Sequence, residues 1–176
     1  MKPSEPVMAK LFCGVLYSDD NLLQESQTLL VKKYGAIDYQ SEPFEFAISE
    51  YYRPEMGWPI YRIFWSFTRL IHPKAIARIK IECNEIEQQL AIENNRKVNI
   101  DCGYMDYDKV VLASAKYNGQ KIYLDFGIYA DLTLHYEKGD FYPYPWSFPD
   151  FKSGAYNKTL LRIRENYKVQ LKKSER

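Results

Sequence analysis

The chain has 176 residues, with 24 basic and 23 acidic side chains and a formal net charge of +1 at pH 7. That balance argues against a nucleic-acid or anionic-membrane partner, which ordinarily leaves a basic excess. No segment approaches the roughly 20 apolar residues that cross a bilayer. With 46 % hydrophobic and 27 % charged residues, the composition is that of one folded domain. It is expected over residues 8–172, after a flexible lead-in at 1–7 and before a frayed tail at 173–176.

Cys13, Cys83 and Cys102 are odd in number and far apart, with no CxxC pair, and the only histidines are His72 and His135. Neither a disulfide framework nor a metal site is expected, and a reducing cytoplasm is the natural setting. The 16 tyrosines are the unusual feature, because an apolar ring with a polar tip suits half-buried faces, interfaces and stacking platforms.

Leu11 to Tyr17 is an apolar run without alternation, the pattern of a strand buried on both faces. Ser18-Asp19-Asp20 starts a helix, because short oxygen-bearing side chains accept its first N–H groups. Leu22, Leu23, Leu29, Leu30 and Tyr34 then recur at helical spacing, and Gly35 ends it. Ile37 and Phe44 to Ile48 form a second strand region, interrupted by Pro43. Tyr51 to Pro59 is an aromatic loop whose two prolines and glycine forbid regular structure. Tyr61, Ile63, Trp65 and Phe67 alternate with polar residues as a third strand.

His72-Pro73 opens a second helix, with Ile76, Ile79, Cys83, Ile86 and Leu90 as its apolar stripe. Lys80, Asn84 and Glu87 run beside that stripe, where they can reach a neighbouring sheet. Val98-Asn99-Ile100-Asp101 begins a fourth strand. Asn118-Gly119 is a strong hairpin signal. It would set Lys109–Tyr117 against Gln120–Phe126, with Val111, Ala113 and Ala115 opposite Phe126, Leu124 and Ile122. A helix from Asp106, capped at Asn118-Gly119, is the alternative; the matched apolar faces favour the hairpin.

Every even position from Ile122 to Tyr136 is apolar, which predicts one buried and one open face, with a bulge or bend at Gly127. Lys138-Gly139 makes the next turn, setting Tyr142 opposite His135 and Tyr144 opposite Thr133. Pro143 to Asp150 is irregular. Ser153 caps a last helix bearing Tyr156, Leu160, Ile163 and Tyr167. The order predicts an α+β fold: a ferredoxin-like βαββαβ layout on an antiparallel sheet, extended by a C-terminal β-meander and a terminal helix. The sheet face away from the first two helices is then wet, or covered by the added elements.

The open face of the meander would collect Ser114, Lys116, Tyr123, Asp125, Tyr129, Asp131, Thr133 and His135, with Asn99 and Asp101 extending it. Lys80 and Asn84 reach it from the second helix. The candidate ligand-binding set is thus Lys80, Asn84, Asn99, Asp101, Lys109, Ser114, Lys116, Tyr123, Tyr129 and Thr133. Lys116 facing Lys121 across a hairpin would favour a nearby anion. Asp125 with Asp131, Asp101 with Asp106, and Glu55 are the carboxylates available for acid–base work. No P-loop, GxGxxG, GxSxG, HExxH or zinc-deaminase pattern occurs. Cys13, in a central strand, reads as core rather than nucleophile.

Several motifs taken together resemble the prokaryotic domain-of-unknown-function family 4416. They are Tyr51-Tyr52-Arg53-Pro54-Glu55-Met56-Gly57, Asn84-Glu85, Asn99-Ile100-Asp101-Cys102-Gly103-Tyr104 and Lys109 to Ser114, followed by Ile122-Tyr123-Leu124, Gly127 to Ala130, Pro145-Trp146 and Pro149-Asp150. The resemblance spans nearly the whole chain. Cys102 stands where that pattern implies proline. The family implies no known reaction, and the cofactor is left unknown. Three functions follow in order of preference: a site for a small anionic or phosphorylated ligand on the meander face, an interaction module using aromatic loops 51–58 and 142–148, and a single-stranded RNA binder. An oligomer is compatible with each.

Overall fold

A computed structural model describes residues 2–174. Its chain runs through β1 (Ala9–Tyr17), α1 (Asp20–Tyr34), β2 (Ile37–Gln40) and β3 (Phe44–Glu45). A 3-10 turn at Glu50–Tyr52 leads into the short α2 (Arg53–Met56), followed by β4 (Tyr61–Ile71), α3 (Ile76–Gln89) and β5 (Val98–Met105). Then come β6 (Lys109–Ser114), β7 (Ile122–Asp125), β8 (Ile128–Glu137), β9 (Asp140–Pro143), α4 (Pro149–Lys152) and α5 (Asn157–Ser174). This is an α+β fold on one open antiparallel sheet, in the order β2-β4-β1-β5-β6-β8-β7, with β3 beside β4 and β9 beside β8. No described helix is long and apolar enough to cross a membrane.

β1 is central because its apolar run lets it bury both faces; all nine residues are buried. Leu11, Cys13, Val15 and Tyr17 join a core with α1 and α3 that includes Leu30, Tyr34, Ile79, Cys83 and Ile86. Phe12 turns the other way, into a core with Phe151, Tyr156, Leu160 and Ile163 of the C-terminal segment and α5. The second face of the sheet is therefore covered by the last helix. Lys10, fully buried, ties that helix down: it pairs with Asp38 and donates to Phe67 O at 2.7 Å and to Gln170 Oε1 at 2.8 Å. At the start of α1, Asp19 Oδ1 accepts from the amides of Asn21 and Leu22 at 2.9 and 3.0 Å.

The meander departs from its expected register. Residues 109–114 are a strand, but β6 pairs with β8, and β7 lies beyond β8. Ala113 faces Ala130 and Ser114 faces Tyr129. The tight turn is Phe126-Gly127, both at positive φ, with Asp125 opposite Ile128, so Gly127 turns the chain rather than bending one long strand. Asn118-Gly119 sits in the connection before β7. Burial explains the choice: the apolar residues of β6 need a long neighbour, and ten-residue β8 covers them where four-residue β7 cannot. The Lys138-Gly139 turn sets Tyr142 opposite His135 as predicted; β9 then ends at Pro143.

A register shift in β8 alters the expected faces. Val110 pairs Leu134 while Val111 pairs Leu132, leaving Thr133 as the extra residue. An extra residue inverts the alternation beyond it. Ile128 therefore joins the core under α3, whereas Leu134, of the same parity, joins the core under α5.

At Gly103 the backbones of β5 and β6 come close together. A Cβ there would lie 2.5 Å from Val111 O and 2.9 Å from the Leu112 side chain, so β5 and β6 can pair here only around glycine. Gly103→Ala is expected to lower stability by about 1–3 kcal/mol, read as a reduced urea midpoint. An unchanged midpoint would show that the strands separate at no cost.

Candidate functional site

The most connected polar cluster lies where β5 parts from β6. The two strands pair only at Gly103–Met105, so the backbone of Ile100 lacks a strand partner on that edge. Side chains of α3 replace it. Glu87 Oε1 accepts from Ile100 N at 2.7 Å, and Lys80 Nζ donates to Ile100 O at 2.7 Å. Both side chains are nearly buried and 3.6 Å apart. Burial alone would lower the lysine pKa, but Glu87 and neighbouring acidic groups reverse that and raise it, so Lys80 stays charged.

From Glu87 the contacts run in a chain. Arg96 Nη1 donates to Glu87 Oε2 and to Asn99 Oδ1, each at 3.1 Å. The same guanidinium forks onto Glu55 of α2, with Nε–Oε1 2.7 Å and Nη2–Oε2 2.8 Å. Asn99 Nδ2 passes the chain to Asp101 Oδ1 at 3.0 Å, and Asp101 Oδ2 accepts from Arg62 Nη1 at 3.0 Å. Arg62 Nη2 lies 3.3 Å from Asp150 Oδ2 of α4.

Arg62 is 4 % exposed. Its guanidinium carbon lies 5.3–6.0 Å from the ring centres of Phe46, Phe64, Phe151 and Tyr156. Room for it comes from Gly14, opposite Asp101 on β1, where a Cβ would stand 2.9 Å from Arg62 Nη1. Burial would lower the arginine pKa; Asp101 and Asp150 raise it instead. Arg62 Nε is buried without a partner among the described residues, as is Asp131 Oδ1.

The exposed edge of the cluster is the 50–56 segment. Burial, then the charge of Asp101, pushes the Tyr52 hydroxyl up to about 12, so it remains a neutral hydrogen-bond donor. Tyr51 Oη accepts from Lys116 Nζ at 2.9 Å, and that bond holds the Tyr51 phenol below its ordinary pKa. Beside it, Lys121 Nζ reaches Ser114 Oγ at 2.9 Å and Asp131 Oδ2 at 3.2 Å.

The ten expected site residues do not share one face. Lys80, Asn99 and Asp101 belong to the network, and Ser114, the last residue of β6, and Lys116, in the loop that follows, stand beside its exposed edge. Half-buried Asn84 makes no side-chain hydrogen bond among the described residues. Lys109 pairs with Asp106 beside a separate cavity of 290 Å³ that Tyr104, Tyr107 and Tyr167 also line. Tyr123 and Tyr129 meet edge to face at 5.5 Å on the outer strands. Thr133 and Asp131 are buried rather than open. The 144–148 segment covers this part of β8: Ser147 Oγ donates to Thr133 O at 2.5 Å and Trp146 Nε1 to Leu132 O at 2.8 Å.

Neither Arg62 nor Arg96 is among the expected site residues. Arg62 alternates with apolar residues and reads as solvent-facing, yet a strand beside doubly buried β1 has both faces covered, which is the signal that could have found it. Arg96 lies in a connection, where nothing local marks it. The three cysteines, distant in sequence, are buried, with Cys13 opposite Cys102. Burial, first among the causes, pushes the Cys102 thiol well up, which suits core packing rather than nucleophilic attack. No group of three potential metal ligands occurs among the described residues.

The Arg96 fork holds the Glu55 carboxyl below the usual carboxylate range. Its contribution to stability is present above the unfolded pKa of about 4.3 and is lost as the pH falls through the folded value. Glu55→Gln is expected to cost about 1–2 kcal/mol at pH 7. Urea unfolding at stepped pH should show that difference closing below about pH 4; a gap that is constant with pH would contradict it.

A family model described as a domain of unknown function, DUF4416, matches residues 7–167. No curated protein and no solved structure matches the chain.

Proposed function

We propose that this chain, which belongs to the DUF4416 family over residues 7–167, binds a small anionic ligand at the exposed edge framed by Tyr51, Tyr52, Asp101 and Lys116. One observation carries the reading. Lys116 has no carboxylate partner among the described residues; its ammonium rests on a tyrosine hydroxyl and 4.5 Å from that ring's centre. A cation held by neutral groups keeps its charge available to an anion. Tyr52 would add a neutral O–H donor. Asp101, oriented by Arg62 and Asn99, could accept from a ligand hydroxyl, so a phosphorylated polyol fits the donor set better than a bare anion. In this reading the ligand sits beside the meander rather than on its face.

The scaffold supports two finer assignments within the same proposal. The sub-order β2-β4-β1-β5, with α1 and α3 in one core, fits a ferredoxin-like first half. Three free, buried cysteines suit a reducing, cytoplasmic setting. A second reading, an interaction module, draws on exposed rings in the aromatic loops: Tyr51 is 61 % exposed, Trp58 48 % and Phe148 46 %. Single-stranded RNA binding would use the same rings but finds little support in a net charge of +1.

Isothermal titration with inorganic phosphate, pyrophosphate and ribose 5-phosphate tests the ligand reading. Lys116→Ala is expected to weaken binding about tenfold or more while leaving the melting temperature of the free protein unchanged. Binding of none of these probes, or equal binding by the variant, would overturn it.

A further inference from the structure

β7 ends the sheet, so one row of its N–H and C=O groups has no strand beside it. All four of its residues are exposed, with Ile122 at 68 % and Tyr123 at 58 %; Phe126 and Tyr117 beside it are exposed at 56 % and 72 %. Free edges are ordinarily guarded by outward lysines or by proline. β7 carries neither. The adjacent cation, Lys121, is turned inward onto Asp131 and Ser114, with its side chain 6 % exposed. β7 is short and has a register shift against β8, but its outer side is bare, and Asp125 is its one charged residue.

We infer that β7 pairs antiparallel with β7 of a second copy of this chain about a two-fold axis, joining the two sheets edge to edge. A strand paired antiparallel with itself makes an isologous contact, which closes at two copies. The register centred on Tyr123 is complementary in apolarity and free of like-charge pairs. It sets Ile122 opposite the partner's Leu124 and Asp125 opposite the backbone of the partner's Lys121 rather than another carboxylate. The area is also adequate. At roughly 200 Å² per large side chain, Tyr117, Ile122, Tyr123, Leu124 and Phe126 together expose on the order of 500 Å². That is the upper end for a monomer's largest apolar patch and most of the roughly 800 Å² per partner that a standard interface takes. This edge is independent of the Lys116 site, so either assignment can fail without the other.

Sedimentation over a range of concentrations tests the inference on three full-length proteins: wild type, Ile122→Lys/Leu124→Lys, and Trp58→Lys as an exposed control. The wild type and the control are expected as reversible dimers near twice the 20.9 kDa chain mass. The edge variant should dimerise about tenfold or more weakly with an unchanged circular dichroism spectrum, since both replaced side chains are exposed. Amide exchange at 122–125 should slow with concentration in the wild type alone of these two, wild type and edge variant. A wild type that remains at 20.9 kDa at every concentration, as an edge reserved for an unrelated strand would leave it, overturns the inference. So does a dimer that survives the edge variant.

Discussion

A full positive charge at Arg62, 4 % exposed, is the constraint around which the rest of the molecule is arranged. A buried guanidinium left alone costs several kcal/mol, so the fold must bring it partners, and it brings them from three directions. Asp101 comes from β5, Asp150 from α4, and Gly14 of β1 leaves the space between them. The rings of Phe46, Phe64, Phe151 and Tyr156 close over the plane. Arg62 thus fixes how the C-terminal segment seats on the sheet, and it fixes the orientation of Asp101.

The second half of the network follows from a backbone problem. β6 leaves β5 after a short pairing, and the orphaned groups of Ile100 must be satisfied. Lys80 and Glu87 do this from α3, and Glu87 in turn engages Arg96, which forks onto Glu55. The 50–56 segment, a 3-10 turn followed by a four-residue helix rather than the irregular loop expected from its prolines, is held in place by that fork. Tyr51 and Tyr52 are therefore presented beside Asp101 by a chain of charge-assisted bonds together with the packing of Tyr52 against Phe46 and Tyr51. Polar networks of this kind fix geometry at high stake, because each unsatisfied member is costly.

The strands, the three longer helices and the buried character of β1 were legible because apolar periodicity records burial directly. The pairing of the meander was not. Asn118-Gly119 carries the stronger local turn signal, but Phe126-Gly127 makes the turn, with a phenylalanine at positive φ. Burial of β6 by β8 outweighed turn preference. Thr133 and Asp131 were misplaced because the 144–148 segment covers that part of β8, and nothing in the alternation marks a covered second face. Lys80 reaches the sheet, as its place beside the apolar stripe of α3 implied, whereas Asn99 and Asp101 alternate with buried residues of β5 and meet Arg96 and Arg62 there. Arg62 was missed because alternation alone does not tell a solvated face from a second covered one.

The central claim, that Arg62 is held by its carboxylates and holds the C-terminal segment through them, is tested most directly by a double-mutant cycle in urea. Arg62→Met alone is expected to cost about 3–5 kcal/mol, because it strands buried Asp150. In an Asp101→Asn/Asp150→Asn background the same substitution should cost under about 1 kcal/mol or be stabilising. Equal cost in both backgrounds would contradict the account and assign Arg62 to packing alone.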